Sequence, residues 1–497
     1  MGDSKYSVSR RGFLDAAAGT AALTTVGVAA SPARSALLPG KPLRVKPVLA
    51  WALNVKRELT SWRGYGGLTT RAEVDQEARG IEAECRKLVE AAEFPIEMLP
   101  LAMVNSTGEA AAAADTDADV LLVYASAGPT KWFETLAASG KPNVMFIRQN
   151  SGPFYLYYEI ADFRFLRKSE EAPREANMDA DDVVVDDYGD VLWRLRALYG
   201  LKNARGTRSL AIGGLRSYSV PGQKLGPAHV RDAWGYGLVT VSDDEVGRRI
   251  AAARADAGAM QQAEKQAAEL LAQPNVTLGT ERRFVVNSFL ALKVFKDLMK
   301  ENDCTNVGVA NCMGSIIRVL DTPPCLIFSL LNDEGYTAFC HTDYTHTPPG
   351  VLLRWISGKP SFISNSHFPH HGSLTLAHCA TPRRMNGRDM EPSKIVTHFE
   401  SDYGAATRVE FTKGTVITNL IPNLTCTKWQ GFRATIVDTP NYPACRSQIN
   451  MTIDGNWKKL LYGIEGFHTV TCYGDYLKEV GYALKRTGVK WENLSES

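Results

Sequence analysis

The chain has 497 residues, enough for about three domains of ordinary size, and its 56 Lys+Arg against 54 Asp+Glu leave a formal charge of only +2. A balance this close excludes a protein that grips nucleic acid or an anionic membrane by bulk electrostatics. With 44% hydrophobic and 22% charged residues, the composition excludes a largely disordered chain and supplies apolar mass for several cores.

The first 36 residues run charged, then apolar, then small, which is the order of a targeting segment. Ser9-Arg10-Arg11-Gly12-Phe13-Leu14 resembles the twin-arginine export motif, and Ala30, Ala33 and Ala36 offer cleavage sites. The apolar stretch over residues 16–30 is shorter than the roughly 20 residues that a membrane span needs, and no later stretch is long and apolar enough to serve. The expectation is a twin-arginine signal peptide over 1–36 and export of the folded protein, by that machinery, to the periplasm or beyond. Both excess positive charges lie in this segment, so the remainder is neutral.

From 43 to 205 the pattern alternates strand and helix. Residues 45–53 form an apolar run of strand length, and Val74, Ala78, Ile81, Cys85, Leu88, Val89 and Ala92 mark one helical stripe. Short apolar runs at 96–101, 120–124 and 144–147 read as strands, the last two separated by a helix around 132–136. This predicts a doubly wound α/β unit with a parallel sheet. A second such unit, 206–355, opens with a strand at 209–212 and the pair Gly213-Gly214, which reads as a tight turn because no phosphate-binding glycine motif is complete. Ser242-Asp243-Asp244-Glu245 is a capping box that starts a helix, a longer helix covers 283–300, and 306–309 returns as a strand. Beyond about Trp355 the runs shorten (408–411, 415–420, 433–437) and are separated by Gly, Pro and Asn, so 356–497 is expected to be an antiparallel sheet or small barrel, closed by a helix over 475–487.

Eight of the nine histidines fall between His341 and His468. The densest stretches are Asn332-Asp333-Glu334-Gly335-Tyr336, Cys340-His341-Thr342-Asp343-Tyr344-Thr345-His346, Asn365-Ser366-His367-Phe368-Pro369-His370-His371 and His378-Cys379. Imidazoles and carboxylates at this density can share a metal or pass protons. The nine cysteines contain no CxxC pair, which argues against a zinc ribbon or a thioredoxin-like motif. Trp62, Trp429, Trp457 and Tyr442 are candidate sugar-stacking faces.

These motifs resemble the L-fucose isomerase and L-arabinose isomerase superfamily, in particular its L-fucose isomerase-like branch. Ser61-Trp62-Arg63-Gly64-Tyr65-Gly66-Gly67 and 119–124 are similar to its first domain. Residues 325–336, 356–360 and 376–379, with Gly466-Phe467-His468 and Tyr473-Gly474-Asp475-Tyr476, are similar to its catalytic half. The resemblance implies two Rossmann-like domains followed by a C-terminal β-rich domain, a trimer or hexamer, and aldose–ketose interconversion through an ene-diol with a divalent metal, typically manganese. Such chemistry needs a metal to polarise O1 and O2 and groups that move a proton between C1 and C2.

Carried over by position, the family's Glu falls on His341, its Asp on Asn365 and its His on His468. Both carboxylates are therefore replaced. The implied metal ligands are His341, Asn365 and His468, with His367 and His370 as additional candidates and zinc, iron or nickel as alternatives to manganese. The candidate proton carriers are His341, Asp343, Asp333 and Glu334. Three functions stay open: a sugar isomerase with altered ligands, another metal-dependent carbohydrate reaction such as epimerisation or elimination, and a non-catalytic exported sugar-binding protein.

Overall fold

The computed structural model describes residues 38–166, 178–466 and 468–496. The twin-arginine motif and its cleavage sites lie outside these residues. Ala36–Ser497 forms one compact unit of mixed α/β architecture.

The first sheet is parallel throughout, in the order Ile96–Met98, Leu43–Ala50, Val120–Ala125, Asn143–Ile147, Val183–Val185, with Ala102–Val104 also pairing to Leu43–Ala50. Every residue of Val120–Ala125 is buried, as expected for a strand covered on both faces by crossover helices. The helix Arg71–Ala91 begins at a reciprocal capping box between Thr70 and Glu73 and buries Val74, Ile81, Cys85 and Leu88 along the stripe read from the sequence. The single strand expected over 96–101 is two short ones. Proline at 100 has no N–H to give to a ladder, and the chain rejoins the first strand one step further along, pairing Ala102–Val104 with Val48–Ala50.

The second sheet is also parallel, in the order Thr337–Phe339, Asn306–Val309, Arg208–Ile212, Gly237–Val241. Its order reverses between Arg208–Ile212 and Asn306–Val309, and the carboxyl ends of such strands form the crevice where α/β sheets bind ligands. The turn expected at Gly213-Gly214 is present, with both residues at positive φ, the region that glycine enters without a Cβ clash. A small third sheet joins Val276–Gly279 to Ser393–Val396 and Ala406–Val409.

The C-terminal strands close into a six-stranded antiparallel barrel, in the order Val416–Pro422, His468–Tyr473, Phe362–Ser366, Ser373–His378, Ser447–Ile453, Lys428–Asp438 and back to Val416–Pro422. Alternation sends Phe362, Leu374, Leu376, Ile449 and Met451 into one apolar core. It sends Ile363, Val470 and Cys472 outward into the core shared with the first α/β layer. Among the described residues no single helix is long and apolar enough to cross a membrane.

Candidate functional site

The site lies where the carboxyl ends of the second sheet meet the outer face of the barrel. Cys340 and His341 follow the edge strand Thr337–Phe339, and His346 caps the helix Thr347–Ser357. Gly308, in the adjacent strand, lets them approach: a Cβ there would stand 2.6 Å from the His341 carbonyl oxygen. From the barrel, Asn365 and His468 are direct cross-strand partners, so both side chains leave the same outward face.

The imidazoles converge. Ring centroids lie 5.5 Å apart for His341 and His468, 4.8 Å for His346 and His468, and 6.4 Å for His341 with both His346 and His378. The three residues carried over from the family motif, His341, Asn365 and His468, are thus brought to one place. Cys340, His341 and His378 each place a ligand atom within 4.8 Å of the other two, a spacing that can hold a metal ion. His341 is partly open to solvent beside the exposed Tyr218, whose ring centroid is 4.5 Å from the His341 ring and 5.8 Å from that of His468.

Burial pushes His346 and His378 down to about 3 and, with the neighbouring imidazoles, holds His341 and His468 well below the ordinary histidine value. Burial thus favours the neutral form of all four rings, the state in which imidazole binds metals. His346 is fully buried and neither of its ring nitrogens has a hydrogen-bond partner; the buried Oδ1 of Asn365 also has none. An unsatisfied buried polar atom costs about 1–3 kcal/mol, so these three atoms are candidate partners for a polar ligand.

The expected carboxylates are committed elsewhere. Asp343 accepts from Ser217 Oγ at 2.6 Å and from the Thr345 N–H at 3.0 Å. With the Arg216 N–H bond to Thr342 Oγ1 at 2.8 Å, it pins the loop that carries Tyr218, and so acts on position. Asp333 is buried at the end of the helix Cys325–Asp333 and accepts the backbone N–H groups of Arg383 and Arg384, both at 2.7 Å. Burial nevertheless pushes its carboxyl up to about 7. Glu334 lies at the surface in an ion pair with Lys296, 2.5 Å from Nζ.

His367 and His370 are exposed, and His370 Nδ1 is 2.9 Å from the Phe368 carbonyl oxygen. Trp429 is not a stacking face: it is buried flat against Trp234, centroids 5.4 Å apart and planes 4° apart. Sequence reasoning left His346, Tyr218 and Cys312 without roles. The available signals were the five-residue step from His341 to His346 and the position of the other two just after strands flanking the reversal point of a parallel sheet.

No model of a known protein family matches the chain, and no curated protein matches it.

Proposed function

We propose that the protein is a sugar isomerase of the L-fucose isomerase-like kind, interconverting an aldose and a ketose. The observation that carries this reading is the set of unpartnered buried polar atoms on His346 and Asn365 beside His341 and His468. Uncharged donors and acceptors suit a neutral polyol, and the Tyr218 ring at the mouth suits the C–H face of a sugar. Family motifs on both sides of this cluster point the same way.

The manganese that the resemblance implies would polarise O1 and O2 of the sugar. The donors present do not fit it, because that ion prefers anionic oxygen ligands and the two family carboxylates are His341 and Asn365 here. The reaction is therefore assigned to the chain's own groups. The Asn365 Oδ1 accepts a hydrogen bond from a hydroxyl of the sugar and holds it in place. The C2–H bond breaks, its proton passes to a neutral ring nitrogen of His346, and a double bond forms between C1 and C2. The same proton then goes to C1 while the O2 hydroxyl proton moves to O1, which gives the ketose. Burial weakens His346 as a base, which raises the barrier to taking the proton and eases its return.

Export through the twin-arginine route, an exported location and a trimeric or hexameric assembly belong to the same proposal, on the strength of the sequence motifs. The test is incorporation of solvent deuterium at C2 of a panel of aldoses in heavy water. Exchange is expected for at least one pentose or deoxyhexose, and His346→Ala should lower its rate by at least about 100-fold. Tight sugar binding without exchange would make the protein a binding module. In the double variant His341→Glu/Asn365→Asp, which restores the family carboxylates, manganese-dependent turnover is expected to appear or rise.

A further inference from the structure

Five of the nine cysteines lie far apart in sequence but gather behind the histidines. Cys325 and Cys379 share a buried cluster with Cys445 packed against it, and Cys312 and Cys340 place their sulfurs 3.7 Å apart. That last separation is an S–H···S contact, with Cys340 donating to Cys312. It is far beyond a covalent S–S bond of about 2.05 Å. Two thiolates held tetrahedrally on one zinc ion, each at about 2.3 Å, stand about 3.8 Å apart.

Cys340 is also the thiol whose sulfur lies within 4.8 Å of nitrogens from both His341 and His378. Cys312 follows the strand Asn306–Val309, Cys340 and His341 follow Thr337–Phe339, and His378 ends the barrel strand Ser373–His378. Cys340, His341 and His378 form the three-donor cluster, and Cys312, outside that cluster but in sulfur contact with Cys340, is the nearest fourth side chain.

We propose that Cys312, Cys340, His341 and His378 form a closed four-coordinate site for a thiophilic divalent cation, zinc first among them, that braces the second parallel sheet against the barrel. Two sulfurs and two imidazole nitrogens are a zinc donor set. The set contains no carboxylate, so it selects against manganese, magnesium and calcium. With all four positions taken by protein, the ion's role is to hold geometry. It fixes His341 at the edge of the sugar pocket and ties the strand that ends in His378 to the loops opposite. The site lies beside the proposed sugar pocket and rests on reading this cluster as a ligand site, but its readouts are metal binding and spectra, independent of sugar turnover. A protein that exchanges deuterium but takes up no zinc would sink the brace and leave the isomerase standing, and a zinc protein without exchange would do the reverse.

The experiment loads the chelator-treated, reduced full chain with cobalt(II), zinc(II) or manganese(II). One cobalt per chain is expected, with the intense d–d absorption of a tetrahedral ion and a near-ultraviolet thiolate-to-cobalt charge-transfer band. Zinc should displace the cobalt, and manganese should not, even in about 100-fold excess. Cys312→Ser should roughly halve the charge-transfer intensity and weaken zinc at least tenfold. Because Cys312 is only half-buried, this variant is expected to fold, with an unchanged far-ultraviolet circular dichroism spectrum as the check. Cys304→Ser, at a buried thiol outside the set, should leave the cobalt spectrum untouched. The proposal is overturned if Cys312→Ser leaves the band at full strength, if cobalt binds without any thiolate band, if manganese competes on equal terms with zinc, or if Cys312 and Cys340 are recovered as a disulfide in a protein that takes up no metal.

Discussion

Asp333 illustrates how one side chain can look catalytic in sequence and serve the fold in three dimensions. Its Oδ1 receives two backbone N–H groups, from Arg383 and Arg384, while its buried Oδ2 has no partner. Burial raises its carboxyl to about 7, the backbone bonds pulling the other way. The folded value lies above the unfolded one, so the stability it contributes is fully present below about pH 4 and is lost as pH rises through 7. Across that window the fall has a ceiling of about 1.4 kcal/mol per pH unit. Glu479, also raised to about 7 by burial, acts with the same sign, so only a comparison with a variant isolates Asp333. Asp333→Asn keeps the acceptor and cannot ionise. Its unfolding free energy, measured in guanidinium between pH 5 and 8, is expected to fall less steeply with pH than that of the unaltered protein, and parallel slopes would refute this account.

At the scale of elements, one link between a helix and the first sheet is a buried polar network. Arg148 follows the strand Asn143–Ile147 and is 2% exposed; its guanidinium reaches Glu77 at 2.7 Å and Glu84 at 2.5 Å. The two glutamates are two turns apart on one face of the helix Arg71–Ala91. Tyr155 donates to Glu77 and Tyr188 to Glu84, so the carboxylates are solvated by protein. Arg148→Met would strand both carboxylates and is expected to cost about 3–5 kcal/mol. Arg148→Lys, a point charge without the fork that spans both partners, should fall between. Urea midpoints decide it, and a loss under about 1 kcal/mol would reduce the network to the worth of a surface pair. The helix itself was legible, since Val74, Ile81, Cys85 and Leu88 spell its buried face. Its partner was not, because periodicity encodes which face is buried and not what covers it. The same limit explains the site. Motif order singled out His341, Asn365 and His468, and Asn365 and His468 stand side by side because their strands pair there. Cys312 and Cys340, 28 residues apart, match no short ligand spacing and meet only because their strands are neighbours in the second sheet.

The largest apolar core runs from the first sheet to the outer face of the barrel, while most of the second sheet and its helices pack in a cluster of their own. It begins at Leu43 in the first sheet, takes in Val351, Leu352 and Ile356 of the helix Thr347–Ser357, and includes Ile363, Leu420, Trp429, Val470 and Cys472 from the barrel's outer face. Of the segments read from the sequence, 43–205 therefore shares its core with the helix Thr347–Ser357 and the barrel's outer face, whereas most of 206–355 packs around a cluster of its own. The barrel's own interior, from Phe362 to Leu494, is a separate apolar cluster, but its strands also present a second apolar face that needs the α/β layers to cover it. The stacked pair Trp234 and Trp429, one from each side of that boundary, offers a probe of docking. In urea, the near-ultraviolet circular dichroism of this pair, isolated as the difference between the unaltered protein and Trp429→Phe, is expected to disappear at the same midpoint as the far-ultraviolet signal, because loss of the shared core unfolds both sides together. The fragment 356–497 made alone should expose the outward face, bind a hydrophobic dye and lack a sharp thermal transition. If the fragment melts cooperatively at the temperature of the full chain, or if the tryptophan signal is lost well before the secondary structure, the barrel folds on its own and the shared core is only a docking surface.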